Sequence, residues 1–338
     1  MDLRVSIRKK LRDFVLDVDF EVRDEIFALL GASGSGKSMT LKCIAGIETP
    51  DEGAIILNGR TLFDSVKKIN LSPQLRRAGY LFQNYALFPN MTVAENILFA
   101  AVGNKISKLK ENLSRFQLDG LENVYPHELS GGQQQRVAFA RVLTSHAEIL
   151  LLDEPFSALD SYLRWQLELE LAKLFKIYGA AILVSHDRGE VYRLADKVAV
   201  MHDGKIDTVD LKREVFKHPK TLAAMILTGC KNISPARKIA ADKLFATDWN
   251  LTLTAENIPD DLKFVGIRAH DLELCSELGE NTFAMEVVQV IEDTSSYVVM
   301  IRADGGKALR CEVGTRNWGL GTRGFVGLPA DKIILASG

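Results

Sequence analysis

The sequence predicts an α/β protein, with a mainly parallel sheet covered on both faces, a helical insertion, and a small all-β domain after it. Three observations predict this. Near-continuous apolar strands alternate with helical stretches over the first two thirds of the 338 residues, the pattern of a parallel sheet buried on both sides. A glycine-rich turn joins the first of those strands to a helix. From residue 264 the texture changes to short alternating strands, as in a small barrel or sandwich.

In chain order, residues 25–30 (EIFALL) form an apolar strand that runs into the glycine-rich turn, and 38–47 form the helix after it. Residues 147–153 and 180–185 are further buried strands, with helical patterns over 131–145 and 161–178. Residues 84–130 are polar, mostly helical or irregular, and contain Pro89 and Pro126; they open an inserted helical subdomain expected over about 84–150. The composition shift near 230–235 sets domains of 1–230 and 231–338, the second carrying FVGIR, FAMEVVQVIE, SYVVMIRA and ALRCEV as strands.

Composition excludes several classes. Hydrophobic residues make up 47% and charged residues 25%, with a net charge of −2. That balance argues against disorder and against a nucleic-acid partner, which calls for a basic excess. No stretch reaches the roughly 20 apolar residues of a spanning helix, and MDLRVSIRKK lacks the apolar core of a signal peptide. Cys43, Cys230, Cys275 and Cys311 are scattered, with no metal-ligand spacing, and read as reduced structural thiols.

Residues 31–38, GASGSGKS, match Gly-x4-Gly-Lys-Ser/Thr between a strand and a helix. Glycines let backbone N–H groups turn inward on phosphate oxygens; Lys37 then reaches the β- and γ-phosphates and Ser38 binds Mg²⁺. The candidate nucleotide contacts here are Gly31, Ala32, Ser33, Gly34, Ser35, Gly36, Lys37 and Ser38, with Met39 next to them in the helix. In ILLLDE, Asp153 and Glu154 follow a buried strand. Alone, such a pair is usually a helix cap; beside a phosphate loop, Asp153 suits the hold on Mg²⁺ and Glu154 a general base. His186 ends another strand and reads either as a structural hydrogen-bonding group or as a γ-phosphate contact. Ser130 is a good N-cap, so Ser130-Gly131-Gly132-Gln133 is either a capped helix start or a second anion site. Thr294-Ser295-Ser296 reads chiefly as a turn, with a small-oxyanion site as the other reading.

Taken together, these segments resemble the nucleotide-binding subunit of ABC transporters. The resemblance rests on the phosphate loop (31–38), Gln83 in YLFQNYALFP, LSGGQ (129–133), ILLLDE (149–154), SALD (157–160) and His186, in family order. It implies a P-loop ABC ATPase domain with ATP and Mg²⁺ as cofactors. It further implies a head-to-tail dimer in which Ser130 to Gln133 of one copy close over the loop of the other, with Asp160 helping the opposite site. Gln83 would contact Mg²⁺ or the attacking water, adding to Ser38 and Asp153. Glu154, His186 and Gln83 are the catalytic candidates.

The same resemblance implies membrane permease subunits docked around Tyr85–Thr92, a place on the cytoplasmic face of the membrane, and indirectly an extracytoplasmic anion-binding protein. The family stacks adenine on an aromatic residue ahead of the loop; here Leu11 or Phe14 stands at that place. The second domain is similar to the OB-like regulatory domains (TOBE or Mop type) of importers, with Ala269-His270 replacing the family's Pro-Glu in FVGIRAHDLEL. The run SALDSYLRWQLELEL and the junction LTGCKNIS are closest to molybdate importers, with tungstate, sulfate or thiosulfate, and iron as other cargoes. One ATPase module, no heptad run and no basic excess disfavour a soluble translation or repair ATPase.

Overall fold

The computed structural model describes residues 1–337 apart from 102–104, 146, 158, 276, 278, 304 and 316. The chain divides into two compact units, Met1–Lys212 and Arg213–Gly338.

The first unit begins with an antiparallel pair, β1 (Asp2–Lys10) and β2 (Val15–Arg23). Their apolar residues alternate with charged ones, so Leu3, Val5 and Ile7 face the core while Arg4, Ser6 and Arg8 face water. Then come β3 (Ile26–Gly31), α1 (Lys37–Ala45), β4 (Glu52–Leu57), β5 (Arg60–Asp64), β6 (Ile69–Asn70), α2 (Pro73–Arg76) and β7 (Ala78–Leu81). The segment between β7 and β8 (Ile149–Asp153) holds α3 (Val93–Leu98), α4 (Lys105–Arg115) and α5 (Gly131–Thr144). Beyond it lie α6 (Ser161–Tyr178), β9 (Ala181–Ser185), α7 (Arg188–Leu194), β10 (Lys197–His202) and β11 (Lys205–Leu211).

These strands form one sheet in the order β6-β5-β4-β1-β2-β11-β10-β3-β9-β8-β7. From β10 to β7 it is parallel, and β3, β8 and β9 are buried at every residue. The β1–β6 side is an antiparallel wing. The mainly parallel sheet expected from the apolar runs therefore covers only part of the whole. The wing escapes that pattern because half-buried strands alternate, whereas doubly covered strands run apolar throughout.

One buried cation anchors the helix after the phosphate loop. Arg76, fully buried, donates from Nη1 to the carbonyls of Cys43 (2.7 Å) and Ile44 (3.0 Å). Its Nε donates to Leu71 O and its Nη2 to Asn70 Oδ1. The acceptors on Cys43 and Ile44 are end carbonyls of α1, where the helix dipole favours a cation. Arg76→Met is expected to lower the unfolding free energy of this unit by about 2–4 kcal/mol, since it strands buried carbonyls. A denaturant midpoint unchanged from the parent chain would contradict that role.

The second unit starts with α8 (Lys212–Lys217), whose first residue closes the first unit, and α9 (Leu222–Leu227). The division falls ahead of the composition shift near 230 because these turns bond to the strand-forming part of the second unit. Arg268 donates to the carbonyls of Thr228 and Phe216, and Ser337 N–H to Lys220 O. The remaining strands are β12 (Asn232–Lys238), β13 (Lys243–Ala246), β14 (Leu251–Thr254), β15 (Phe264–Ile267), β16 (Glu273–Cys275) and β17 (Thr282–Glu292). They continue with β18 (Tyr297–Ala303), β19 (Leu309–Val313), β20 (Arg323–Gly327) and β21 (Ile334–Ala336). Two sheets result, β14-β13-β12-β15-β21 and β16-β20-β17-β18-β19, sharing a core that includes Trp249, Leu253, Val287, Ile301 and Val326. In the hairpin between β17 and β18, Thr294 N–H donates to Asp293 and Ser296 Oγ to Glu312. With those groups turned to carboxylates, the segment behaves as the turn it was read to be.

Candidate active site

The carboxyl ends of β3, β8 and β9 open on one cleft, the usual ligand position in an open parallel sheet. Its volume is about 440 Å³, within the range of small-molecule sites. The phosphate loop leaves β3 through Gly31, where a Cβ would stand 2.5 Å from the carbonyl oxygen of Met201. It enters α1 at Gly36, whose φ of 102° suits glycine alone; a Cβ there would press on Leu16 and Met201. Ser33, Gly34, Gly36, Lys37, Ser38 and Met39 line the cleft. Ser35 Oγ is buried in the loop without a hydrogen-bond partner.

Lys37 is buried, and its Nζ donates to the carbonyls of Gly31 and Ala32, both at 2.8 Å. Desolvation draws its pKa below the usual lysine value, opposed by Glu154 and Asp153. Asp153, 4% exposed, receives Ser38 Oγ at 2.7 Å on Oδ1 and Tyr80 Oη at 2.9 Å on Oδ2. Burial and the Asp153 charge raise the Tyr80 pKa, which keeps that phenol protonated as a donor.

Glu154 stands between the other two candidates. Gln83 Nε2 donates to its Oε2 at 3.2 Å, and His186 Nδ1 lies 3.2 Å from its Oε1. Its backbone is left-handed, φ 47°, held by an N–H bond to Val184 O. A non-glycine residue in that region is strained, and such strain concentrates at functional sites. Gln83, Lys37, Ser38, Asp153, Glu154 and His186 thus meet in one place although they are spread along the chain from residue 37 to residue 186.

The oxygen donors fit a hard cation. Ser38 Oγ and the Asp153 carboxylate already touch, and Gln83 supplies an amide oxygen nearby. Among the described residues no three His, Cys, Asp or Glu side chains gather into a metal cage. That combination suits Mg²⁺, which takes one or two protein groups together with phosphate oxygens and water.

Leu11 and Phe14 both line the far end of the cleft, where the β1–β2 turn is closed by a Leu11 N–H bond to Phe14 O. Lys42 also reaches it, a residue that sequence reading missed although it follows Ser38 by one helical turn. Tyr80 was missed as well. Ser130, Gly131, Gly132, Gln133 and Asp160 do not line this cleft. Ser130 caps α5 in a capping box with Gln133, accepting its N–H at 3.3 Å and giving its own N–H to Gln133 Oε1 at 2.8 Å. Asp160 caps α6 by accepting from the N–H groups of Tyr162 and Leu163. Ala158 of the SALD segment lies outside the described residues.

The family profile described as "ABC transporter" matches residues 15–157. The sulfate/thiosulfate import ATP-binding protein CysA of Synechocystis is 38% identical over 306 residues, covering 88% of this chain and 83% of that protein. The chain belongs to the ABC transporter family. It is an ATP-binding subunit of the import type.

Other ABC transporter subunits agree. The Fe(3+) ions import ATP-binding protein FbpC of Haemophilus influenzae is 44% identical over 267 residues, 76% of this chain and 75% of the relative. The spermidine/putrescine import ATP-binding protein PotA of Methylococcus capsulatus is 39% identical over 260 residues, 75% of this chain and 61% of the relative. A dimeric ATP-binding cassette solved in a post-hydrolysis state with ADP and phosphate superposes with a TM-score of 0.55 at 28% identity, over 63% of this chain and 99% of the other. The names of these relatives carry sulfate or thiosulfate, iron and polyamines. Molybdate, expected from the sequence resemblance, is not among them.

Proposed function

We propose that this ABC subunit hydrolyses ATP to drive uptake of a tetrahedral oxyanion, with sulfate or thiosulfate as the foremost cargo. The observation that carries the ATPase reading is the single cleft in which Lys37, the Ser38–Asp153 pair, and Glu154 between Gln83 and His186 converge. The sulfate reading rests on the name of the Synechocystis relative, matched over most of its length.

In this mechanism the N–H groups of residues 31–38 and Lys37 cradle the β- and γ-phosphates. Ser38, Asp153 and Gln83 hold Mg²⁺, which offsets phosphate charge when bound. Adenine packs on Leu11 or Phe14. Glu154 accepts the proton of the attacking water, and His186 contacts the γ-phosphate. The Ser130–Gln133 segment lies outside its own chain's cleft, which supports a head-to-tail dimer in which a second copy supplies it, with Asp160 beside the opposite site.

No helix among the described residues is long and apolar enough to cross a membrane. Integral membrane permease subunits are read as separate chains that dock at the groove near Tyr85–Thr92, with this subunit on the membrane's cytoplasmic face and an extracytoplasmic protein choosing the anion. The strand-forming part of the second unit, from about residue 231 to 338, is read as an OB-like regulatory module of TOBE or Mop type that follows the ATPase domain of about 1–230.

Labelled sulfate and molybdate uptake in source cells, with and without Glu154→Gln, tests the cargo. Loss of sulfate uptake alone supports the proposal. Loss of molybdate uptake alone replaces the cargo with molybdate, the reading that LTGCKNIS and SALDSYLRWQLELEL favour. If neither uptake changes, the oxyanion reading falls.

A further inference from the structure

Tyr80 makes contacts that the proposed hydrolysis mechanism does not use. It lies on the edge strand β7, opposite Leu151 of β8. Its Oη donates to Asp153 Oδ2 at 2.9 Å, while Ser38 Oγ donates to Oδ1 at 2.7 Å, so each oxygen of this buried carboxylate has a donor of its own. The Tyr80 ring lies against Phe82, with ring centroids 4.4 Å apart. Both residues also line a groove of about 350 Å³ on the outer side of the site, together with Phe88, Phe99 and Arg141. One side chain therefore touches the groove wall at its ring and the Asp153 carboxylate at its hydroxyl.

We propose that Tyr80 is a positioning residue for the metal, fixing the plane of the Asp153 carboxylate through its hydroxyl and linking that carboxylate to the groove wall through Phe82. The inference rests on reading Ser38 and Asp153 as metal-holding. The physical basis is torsional. An aspartate carboxyl rotates in a broad well about its last torsion, and donors on both oxygens leave it one orientation. Partners of this kind orient a ligand group, and their loss typically costs about 10–100-fold in metal affinity.

The test uses the full chain with two readouts, ATP affinity in the absence of metal and Mn²⁺ affinity of the ATP complex by electron paramagnetic resonance. Tyr80→Phe keeps the ring and removes only the hydroxyl. It is expected to weaken Mn²⁺ about tenfold and to leave metal-free ATP affinity as it is. Asp153→Asn separates the two readings. If that variant also leaves Mn²⁺ affinity unaltered, the metal-holding assignment is wrong. If it weakens Mn²⁺ while Tyr80→Phe does not, the role of Tyr80 alone is overturned. Phe82→Ala is expected to weaken Mn²⁺ in the parent chain but add nothing in the Tyr80→Phe background. Additive losses would assign its effect to the adjacent Gln83 and overturn the link to the groove.

Discussion

Glu154→Gln is expected to lower ATP hydrolysis by about 10²–10⁴-fold, the usual contribution of a general base, while ATP still binds. The substitution is nearly isosteric, so the left-handed backbone at φ 47° and its N–H bond to Val184 O stay in place. What changes is the proton acceptor. A carboxylate accepts on both oxygens, and here it meets Gln83 Nε2 on one and His186 Nδ1 on the other. A carboxamide accepts on one side only and cannot take the proton of water. The phosphate loop is untouched, so under the proposed head-to-tail dimer nucleotide is expected to draw two copies together without being cleaved. Phosphate release and ATP-dependent dimer mass, measured side by side, check this. Hydrolysis at the parent rate would remove Glu154 from the mechanism.

Lys37→Ala is expected to weaken ATP binding by about 100-fold, because it deletes charge-assisted bonds worth roughly 1.5–3 kcal/mol each. Lys37 Nζ now donates to the carbonyls of Gly31 and Ala32 at the mouth of the loop. It is a buried cation close to Glu154 and Asp153, whose charges oppose the fall in its pKa. Without it two carboxylates face the incoming phosphates with no counter-charge on that side, and the binding loss exceeds that of a lost hydrogen bond. The fold should survive, since α1 remains tied at its far end by Arg76. Calorimetric titration with ATP reads the loss directly, and retained micromolar affinity would contradict the role of Lys37.

Much of the site was legible in residue order. The glycines of the loop, the strand that ends in Asp153-Glu154 and the strand that ends at His186 each obey rules acting within a few residues. So do the buried strands at Ile26–Gly31, Ile149–Asp153 and Ala181–Ser185, which lie where their apolar runs predicted. The antiparallel wing was less legible as part of the same sheet, because the pairing of β1 with β4 joins residues some fifty positions apart. Ser130 looks like a helix cap, and in the chain by itself both it and Asp160 are caps; their readings as nucleotide contacts require a second copy.

By itself the sequence determined the phosphate loop, the acidic pair after its strand, and the alternation of strand and helix that brings them to one sheet edge, all products of turn chemistry and periodicity. Only the tertiary structure decided that Tyr80 meets Asp153, that Arg76 closes the end of α1, and that Gln83 and His186 share Glu154. Those contacts depend on strand register and on which strands lie side by side. The alternation of apolar residues and the turns narrow the register of each pair, but which strands become neighbours is decided by pairings between residues far apart in the chain.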